Sequence, residues 1–489
     1  MNKMILLIAL PLLAAFLIPV VARFSATVSR LLGPAVLAFV LVFVALQWSV
    51  VGRDSFAIFI GGFLPPVGIV FYVDHFSLMF SAIIAAMLLV VWPWGQYTPV
   101  RQQSLYMLLA ASSFGLVLSS DLFNLYVFYE LLAVATYGLV ANQSHKAAPA
   151  AALRYLFVSC AGSVMLLIGI AIIYTITGTL NIAHLATMIG KLHGLAGLSA
   201  FILIAVGAGV KAEMFPVNSW VPEVYGTSSK SLSALLAGLI SKLAVVLILR
   251  VSLMLFQVDV ALDLLLIVGI LGVLSGEMVA WRAKDVTRML SFSSIAQLGL
   301  IFVALSLSGT IGLWLAVGLM LHHLLVKGGL FLLADSMHGS FSTLKGLARK
   351  SPILGAVFLI FIFSLLGIPP FPGFWIKLML VINLAQQGDV LYQLAIGVVL
   401  FATVIEASYL FKLVRIIYQK GDENIIEPHQ TSTSGMNLLY AKFFALIVVV
   451  SMPFVSPISD RLKDMSRQSV NVENYIETIM DQPKSGGQS

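Results

Sequence analysis

Thiols and charges are what this 489-residue sequence has least of. Its single cysteine, Cys160, lies in an apolar run, so no disulfide framework, zinc knuckle or iron–sulfur site can be built from cysteines of this chain. Any redox chemistry it serves is carried by other polypeptides. Charged residues are 10% of the chain against 60% hydrophobic, a balance that excludes a soluble globular domain. Long polar segments are missing up to about residue 457, so one membrane domain, 1–457, is expected, followed by a polar tail, 458–489, that reads as a short docking or disordered segment. The net charge of +7 does not point to nucleic acid, because the basic residues sit in short loops between apolar runs.

What the chain does have is a succession of apolar runs of the length needed to cross a bilayer, about 20 residues each. They predict an all-α polytopic membrane protein with about 14 transmembrane helices, starting near residues 3, 31, 73, 104, 121, 153, 199, 229, 262, 288, 311, 352, 390 and 436. The first run, Met4 to Val21, is long for a secretion signal and is followed at once by another span, so it reads as a retained helix. Alternate loops divide the cations unevenly. One set holds Arg23, Arg30, Arg101, Lys146, Arg154, Lys230, Arg282, Lys284, Arg288, Lys345, Arg349, Lys350, Lys412, Arg415 and Lys420. The other holds Arg53 and Lys191, with Lys3 and the tail. Cytoplasmic loops carry the lysine and arginine excess, so this division predicts a cytoplasmic (inner) membrane protein with both termini on the non-cytoplasmic side.

Two spans are interrupted alike. VKAEMFPVNSWVPE carries Pro216 and Pro222 beside Lys211, and GIPPFPGFWIKLML carries Pro369, Pro370 and Pro372 beside Lys377. Proline removes a backbone donor and blocks the preceding turn, so both helices should break. Broken helices at membrane depth are tolerated where protein or an internal cavity satisfies the freed backbone groups. Their recurrence, each with a lysine, resembles the paired discontinuous helices of inverted-repeat transporters.

The remaining charges inside apolar runs are the candidate functional residues. An ionised carboxylate at mid-membrane costs about 2.5–3.5 kcal/mol on insertion scales, so Glu130, in the fifth span, needs a partner or a proton. Lys211 is the expected partner, and a pair whose geometry changes would switch the lysine between charged and neutral forms. Lys242 has no acid within helical reach. His322, His323 and Lys327 follow, with His323 and Lys327 one turn apart on one face, a spacing that suits an imidazole-to-amine proton relay. Lys377 and Glu406 close the series, and Glu213, two residues after Lys211, either joins it or serves the helix break. Asp74, Asp121, Lys230 and Asp335 fall near predicted helix ends and read as structural. A solute pocket gathers its polar groups in one place, whereas titratable groups strung over six or so helices suit proton hops.

The segments DLFNLYVFYE, TGTLNIAHL, VKAEMFP with SWVPE, SALLAGLISK, LSFSSIAQLGL, HHLLVKGGLFLLA and GIPPFPGFWIK resemble, in order and spacing, the antiporter-like subunits shared by respiratory complex I, membrane-bound energy-converting hydrogenases and Mrp cation/proton antiporters. That resemblance implies 14 helices with two inverted five-helix repeats, here about 104–256 and 262–420, the seventh and twelfth helices being broken. It also implies Glu130 as the essential carboxylate, Lys211 as its partner, Lys242 as the central relay, Lys327 with His323 as the second relay and Lys377 as the terminal lysine. Asn218, Tyr225 and Gln297 depart from it, standing where histidines are common. The expected function is proton translocation, with or without exchange for a cation such as sodium, in one subunit of a larger membrane complex and with no cofactor in this chain. Two other readings stay open: a self-sufficient transporter of sodium or a small solute, and a structural or quinone-binding membrane subunit.

Overall fold

The computed structural model describes residues 2–51, 55–94, 99–337, 341–420 and 432–480, so Arg53 and the end of the tail, 481–489, lie outside the described residues. The chain is an all-α polytopic membrane protein. Among the described residues, ten helices are long and apolar enough to cross a membrane, and His75–Val90, Leu195–Gly209 and Pro352–Leu366 are shorter apolar helices.

The chain begins with α1 (Leu6–Val21) and α2 (Ala26–Val51). A hairpin of β1 (Phe56–Phe59) and β2 (Val70–Val73) follows, antiparallel with Phe56 opposite Val73, an element the span pattern does not anticipate. Next come α3 (His75–Val90), α4 (Val100–Leu118), α5 (Leu122–Ala141), α6 (Ala148–Thr177) and two short helices, α7 (Ile182–Ala186) and α8 (Ile189–Leu192). The first interrupted span is α9 (Leu195–Gly209) and α10 (Val221–Thr227). Then α11 (Lys230–Leu235) runs through a π turn (Leu236–Ile240) into α12 (Ser241–Leu255). The second half holds α13 (Asp259–Arg282), α14 (Val286–Leu305), α15 (Gly309–Ala334), α16 (Leu347–Lys350), the interrupted pair α17 (Pro352–Leu366) and α18 (Pro372–Gln386), and α19 (Val390–Tyr418). The chain ends in α20 (Ser432–Ser451), α21 (Val455–Val470) and α22 (Val472–Met480).

The charges assigned to helix ends are there for local reasons. Asp74 and Asp121 are N-caps whose carboxylates accept backbone N–H groups of the first turns of α3 and α5. Lys230 starts α11 and donates to Thr287 at 2.8 Å, and Asp335 ends α15, accepting from Asn437 at 2.9 Å.

Close helix packing comes from small residues. Gly269, Gly272 and Gly276 of α13 lie against Gly299 and Ala296 of α14, and a Cβ at Gly269 would fall 2.8 Å from the Gly299 carbonyl oxygen. Gly162 and Gly169 bring α6 equally close to α9. Without a hydrophobic drive between helices in lipid, such backbone approach is a main source of association.

Both expected helix breaks are present, and side chains satisfy the freed carbonyls. After α9 the Trp220 indole donates to the Val210 carbonyl at 2.9 Å, and the Tyr129 hydroxyl donates to that of Gly207 at 3.1 Å. Gly367, at φ 75°, ends α17 in the left-handed conformation that glycine adopts without steric cost. Pro372 then opens α18 at a position that needs no backbone donor. Of the two expectations for the tail, docking or disorder, its described part follows the first: through Met480 it is helical and docked, with the Tyr475 ring edge-on to Tyr72 of β2 at 4.6 Å. Tyr475 and Ile479 are buried on one face of α22, and α21 buries Leu462 and Ser466, contacts that the polar composition conceals.

Candidate functional site

The expected site residues lie inside the helical bundle. Lys211, Lys242, His323, Lys327, Glu213, Glu406, His322 and Lys377 are all buried, and Glu130 is half-buried. Burying this many ionisable groups is costly unless each has partners.

Glu130 of α5 accepts a hydrogen bond from Ser163 of α6. The expected ion pair with Lys211 is not formed, since no nitrogen–oxygen contact joins them among the described residues. Instead the Lys211 ammonium lies 3.4 Å from the centroid of the Tyr129 ring and has no hydrogen-bond partner among the described residues. Tyr129 precedes Glu130 on α5, so that helix presents a π face to the lysine and a carboxylate to Ser163. The helix break explains the geometry, because Lys211 follows the last turn of α9 and is aimed by irregular backbone.

Glu213 stands at φ 55°, the only non-glycine residue with positive φ among the described residues, in a region that costs an L residue about 1–2 kcal/mol. Its side chain is held on two sides: Tyr225 donates to one carboxylate oxygen, and Ser294 donates to the other at 2.9 Å. Asn218 donates to its carbonyl at 3.2 Å. Glu213 therefore serves the break and also joins the series. Tyr225 and Asn218, two departures from the histidine pattern, are the residues that brace it.

From Glu213 a continuous row of contacts crosses the middle of the protein. Ser294 touches the His323 Nε2 at 3.4 Å, and His323 Nδ1 meets the Lys242 ammonium. Lys242 also donates to the Ala237 carbonyl, five residues earlier in the π turn, and to Ser241 at 3.2 Å. A π turn inserts one residue and re-aims the helix, and such turns are frequent at functional sites. The expected His323-to-Lys327 relay is replaced by a different connection. Both side chains leave α15 on one face, but His323 turns to Lys242 while Lys327 donates to Ser293 of α14 at 2.5 Å.

The series ends at Lys377 of α18. It donates to Glu406 of α19 at 3.1 Å and to the Leu365 carbonyl at the second break at 2.6 Å. Gln297 donates to the other Glu406 oxygen at 3.0 Å, so the third departure from the histidine pattern orients this carboxylate. His322 stands aside, its Nε2 3.0 Å from the Ser364 hydroxyl.

Sequence reasoning missed Ser163, Ser293, Ser294, Tyr129, Tyr409 and Glu277. Ser293 and Ser294 carry a readable signal, the hydroxyl pair inside the apolar run LSFSSIAQLGL. Glu277 sits five residues before Arg282 and reads as a helix-end charge, yet it is 2% exposed.

Residues 119–406 match the family described as "NADH:quinone oxidoreductase/Mrp antiporter, TM". The NADH-quinone oxidoreductase subunit N of Desulforudis audaxviator (strain MP104C) is 30% identical over 437 residues, 85% of this chain and 86% of that protein. The D-type subunit of the Na(+)/H(+) antiporter of Bacillus subtilis (strain 168) is 28% identical over 499 residues, covering 98% of this chain and 99% of that one. A chain of the membrane-bound sulfane sulfur reductase, an archaeal respiratory membrane complex, superposes with a TM-score of 0.89 at 29% identity, covering 98% of this chain and all of that one. With 119–406 making up more than half of its length, the chain belongs to the NADH:quinone oxidoreductase/Mrp antiporter transmembrane family.

Proposed function

We propose that this protein is a proton-translocating subunit of a multi-subunit membrane complex, moving protons along the buried row Glu130, Lys211, Glu213, His323, Lys242, Lys327, Glu406 and Lys377. The observation that carries this reading is the hydrogen-bonded run Glu213–Ser294–His323–Lys242, which joins the first helix break to three helices, α14, α15 and α12, through groups that can each accept and release a proton. A hydroxyl passes a proton by taking one and giving one up, an imidazole does so through its two nitrogens, and a lysine amine holds the proton between steps. Ser293, adjacent to Ser294 on α14, offers the step toward Lys327. Beyond it the Gln297–Glu406–Lys377 group ends the row with a carboxylate and an amine in direct contact.

The proposed topology has 14 transmembrane helices in two inverted repeats, about 104–256 and 262–420, with the two breaks in corresponding positions. The lysine and arginine excess supports placing the Arg282 and Arg349 loops in the cytoplasm and both termini on the other side of the inner membrane. The partners are other integral membrane subunits. The driving chemistry resides in them, and this chain supplies the ion path without a cofactor of its own. Sodium is the proposed counter-ion if the complex exchanges cations, as the name of the Bacillus subtilis relative states for that protein.

The test is pH-gradient formation in inverted vesicles holding the intact complex, with and without sodium, in wild type, Glu130→Ala, Lys211→Ala and Lys377→Ala after assembly is confirmed. Assembled variants that build no gradient support the path. Undiminished gradients in all three would make these charges structural, and a full gradient from this chain alone would replace the reading with a self-sufficient transporter.

A further inference from the structure

Glu277 has no place in that row, yet it is a buried carboxylate inside α13 that forms no ion pair among the described residues. The Tyr409 hydroxyl donates to its Oε2 at 2.9 Å. Tyr409 lies three residues after Glu406 on α19, and Ser293 lies four residues before Gln297 on α14, so each helix carries two polar groups on one face. The groups sort into two parallel rows. One is Gln297–Glu406–Lys377. The other holds Lys327 on Ser293 at 2.5 Å and Tyr409 on Glu277, with the Ser293 and Tyr409 side chains next to each other between them.

The second row has a direction. Helices α13, α14 and α15 are joined by short loops and alternate in sense, so α13 and α15 end on the same side, that of Arg282, Lys284 and Arg288. Glu277 is five residues from the end of α13, about 7.5 Å, whereas Lys327 is seven residues from the end of α15, about 10 Å, at 1.5 Å per residue. Counted along its own helix, Glu277 is therefore about 3 Å nearer the end on the basic side than Lys327 is.

We infer that Glu277 is a proton-loading site, the outer end of a branch that connects the basic face with Lys327 through Tyr409 and Ser293. The inference rests on the proton path proposed above and adds a second access to it. The step is a proton relay without electron transfer. The neutral Glu277 carboxyl gives its proton to the Tyr409 oxygen as that hydroxyl turns and gives its own proton to Ser293. Ser293 in turn passes one to the neutral Lys327 amine. The products are a Glu277 carboxylate and a Lys327 ammonium, and uptake from the basic face reloads the carboxyl. Two hydroxyls between acid and amine suit this task, because they keep the groups out of direct contact and let each change protonation separately.

The experiment compares initial rates of gradient formation by the assembled complex in vesicles for wild type, Glu277→Gln, Glu277→Asp, Tyr409→Phe and Lys327→Ala. Glu277→Gln keeps an acceptor for the Tyr409 hydroxyl and removes the titratable group, and it is expected to lose most of the rate, with Glu277→Asp recovering part of it. Tyr409→Phe keeps the ring volume and breaks the row at its middle, so it should fall with Glu277→Gln, and it decides the matter if the Gln variant does not assemble. If Lys327→Ala abolishes the gradient while assembled Glu277→Gln and Tyr409→Phe pump like wild type, the branch is overturned and the main path stands. If Lys327→Ala also pumps like wild type, the main path falls, and the branch falls with it.

Discussion

Lys377 and Glu406 meet at 3.1 Å across α18 and α19, the one buried ion pair among the described residues, while Arg154–Glu223 and the two pairs on α21 are solvent-exposed. Breaking a buried pair by removing one partner leaves an uncompensated charge and costs about 3–5 kcal/mol, whereas replacing both partners with apolar residues is often neutral. Glu406→Leu and Lys377→Met should each lower the thermal unfolding midpoint of the purified complex, and the double variant should recover part of the loss. Purely additive losses would mean that the two charges do not depend on each other.

The Lys211 ammonium over the Tyr129 ring makes a separate test possible. A desolvated cation–π contact is worth about 2 kcal/mol, and the Tyr129 hydroxyl bond to the Gly207 carbonyl about 1 kcal/mol. Tyr129→Phe should therefore assemble and build a gradient close to wild type, while Tyr129→Leu should lose both stability and rate. Equal behaviour of the two variants would show that the ring face does nothing for the lysine.

Glu213 sets a backbone preference against side-chain hydrogen bonding. Glu213→Gly would relieve about 1–2 kcal/mol of left-handed strain. It would also strand the Tyr225 hydroxyl in a buried site at about 1–3 kcal/mol, leave Ser294 with only its long contact to His323, and open a cavity where the side chain was. The second effect is larger, so Glu213→Gly is expected to yield less assembled complex. Glu213→Gln keeps one acceptor oxygen and puts an amide NH2 in place of the other, to which a rotated hydroxyl can act as acceptor, so it should assemble but fail to build a gradient. Normal pumping by that variant would remove Glu213 from the path.

Much of the site was legible in the sequence because charge inside an apolar run has few explanations. The two breaks were readable from Pro216 and Pro369–Pro370, since proline acts locally. Pairing was not legible, because it depends on which faces of separate helices meet. The spacing of His323 and Lys327 correctly puts them on one face of α15, but that face borders both α12 and α14, so each side chain found a different neighbour. Glu277 was hidden for the opposite reason: proximity to Arg282 suggests a solvated end, and only the packing of Tyr409 against it reveals burial. The β1–β2 hairpin left no trace in a reading tuned to long apolar runs, because each strand is four residues.

Asp121 gives a pH-dependent expectation outside the membrane spans. Burial pushes its carboxyl above the ordinary value, and hydrogen bonds from the Asn124 and Phe123 backbone N–H groups only partly oppose this. A carboxyl raised in the folded state favours folding most while protonated, so its contribution is full below the ordinary carboxylate range and is lost as pH rises through the shifted value. Asparagine caps a helix equally well without a charge. Asp121→Asn should match wild type in acid and unfold at a higher temperature at neutral pH, in melts of the purified complex across pH. A variant that melts lower at neutral pH would mean that the negative charge itself stabilises the start of α5.

The π turn before Lys242 carries one residue more than an α-helix needs, and that extra residue leaves the Ala237 carbonyl available to the lysine ammonium. Deleting Gly238 should let Leu236–Ile240 close as regular α-helix, with the flanking α11 and α12 kept in register. The Ala237 carbonyl would then be taken by a backbone N–H, and Lys242 would lose a neutral partner that now anchors it beside His323. The complex should assemble with α-helical content unchanged by circular dichroism, yet form its pH gradient more slowly. The relative rates of the Gly238 deletion and of Lys242→Ala locate the effect. If the deletion pumps at the wild-type rate while Lys242→Ala does not, the lysine needs only His323 and the π turn is a packing accommodation to the small residues around Gly328.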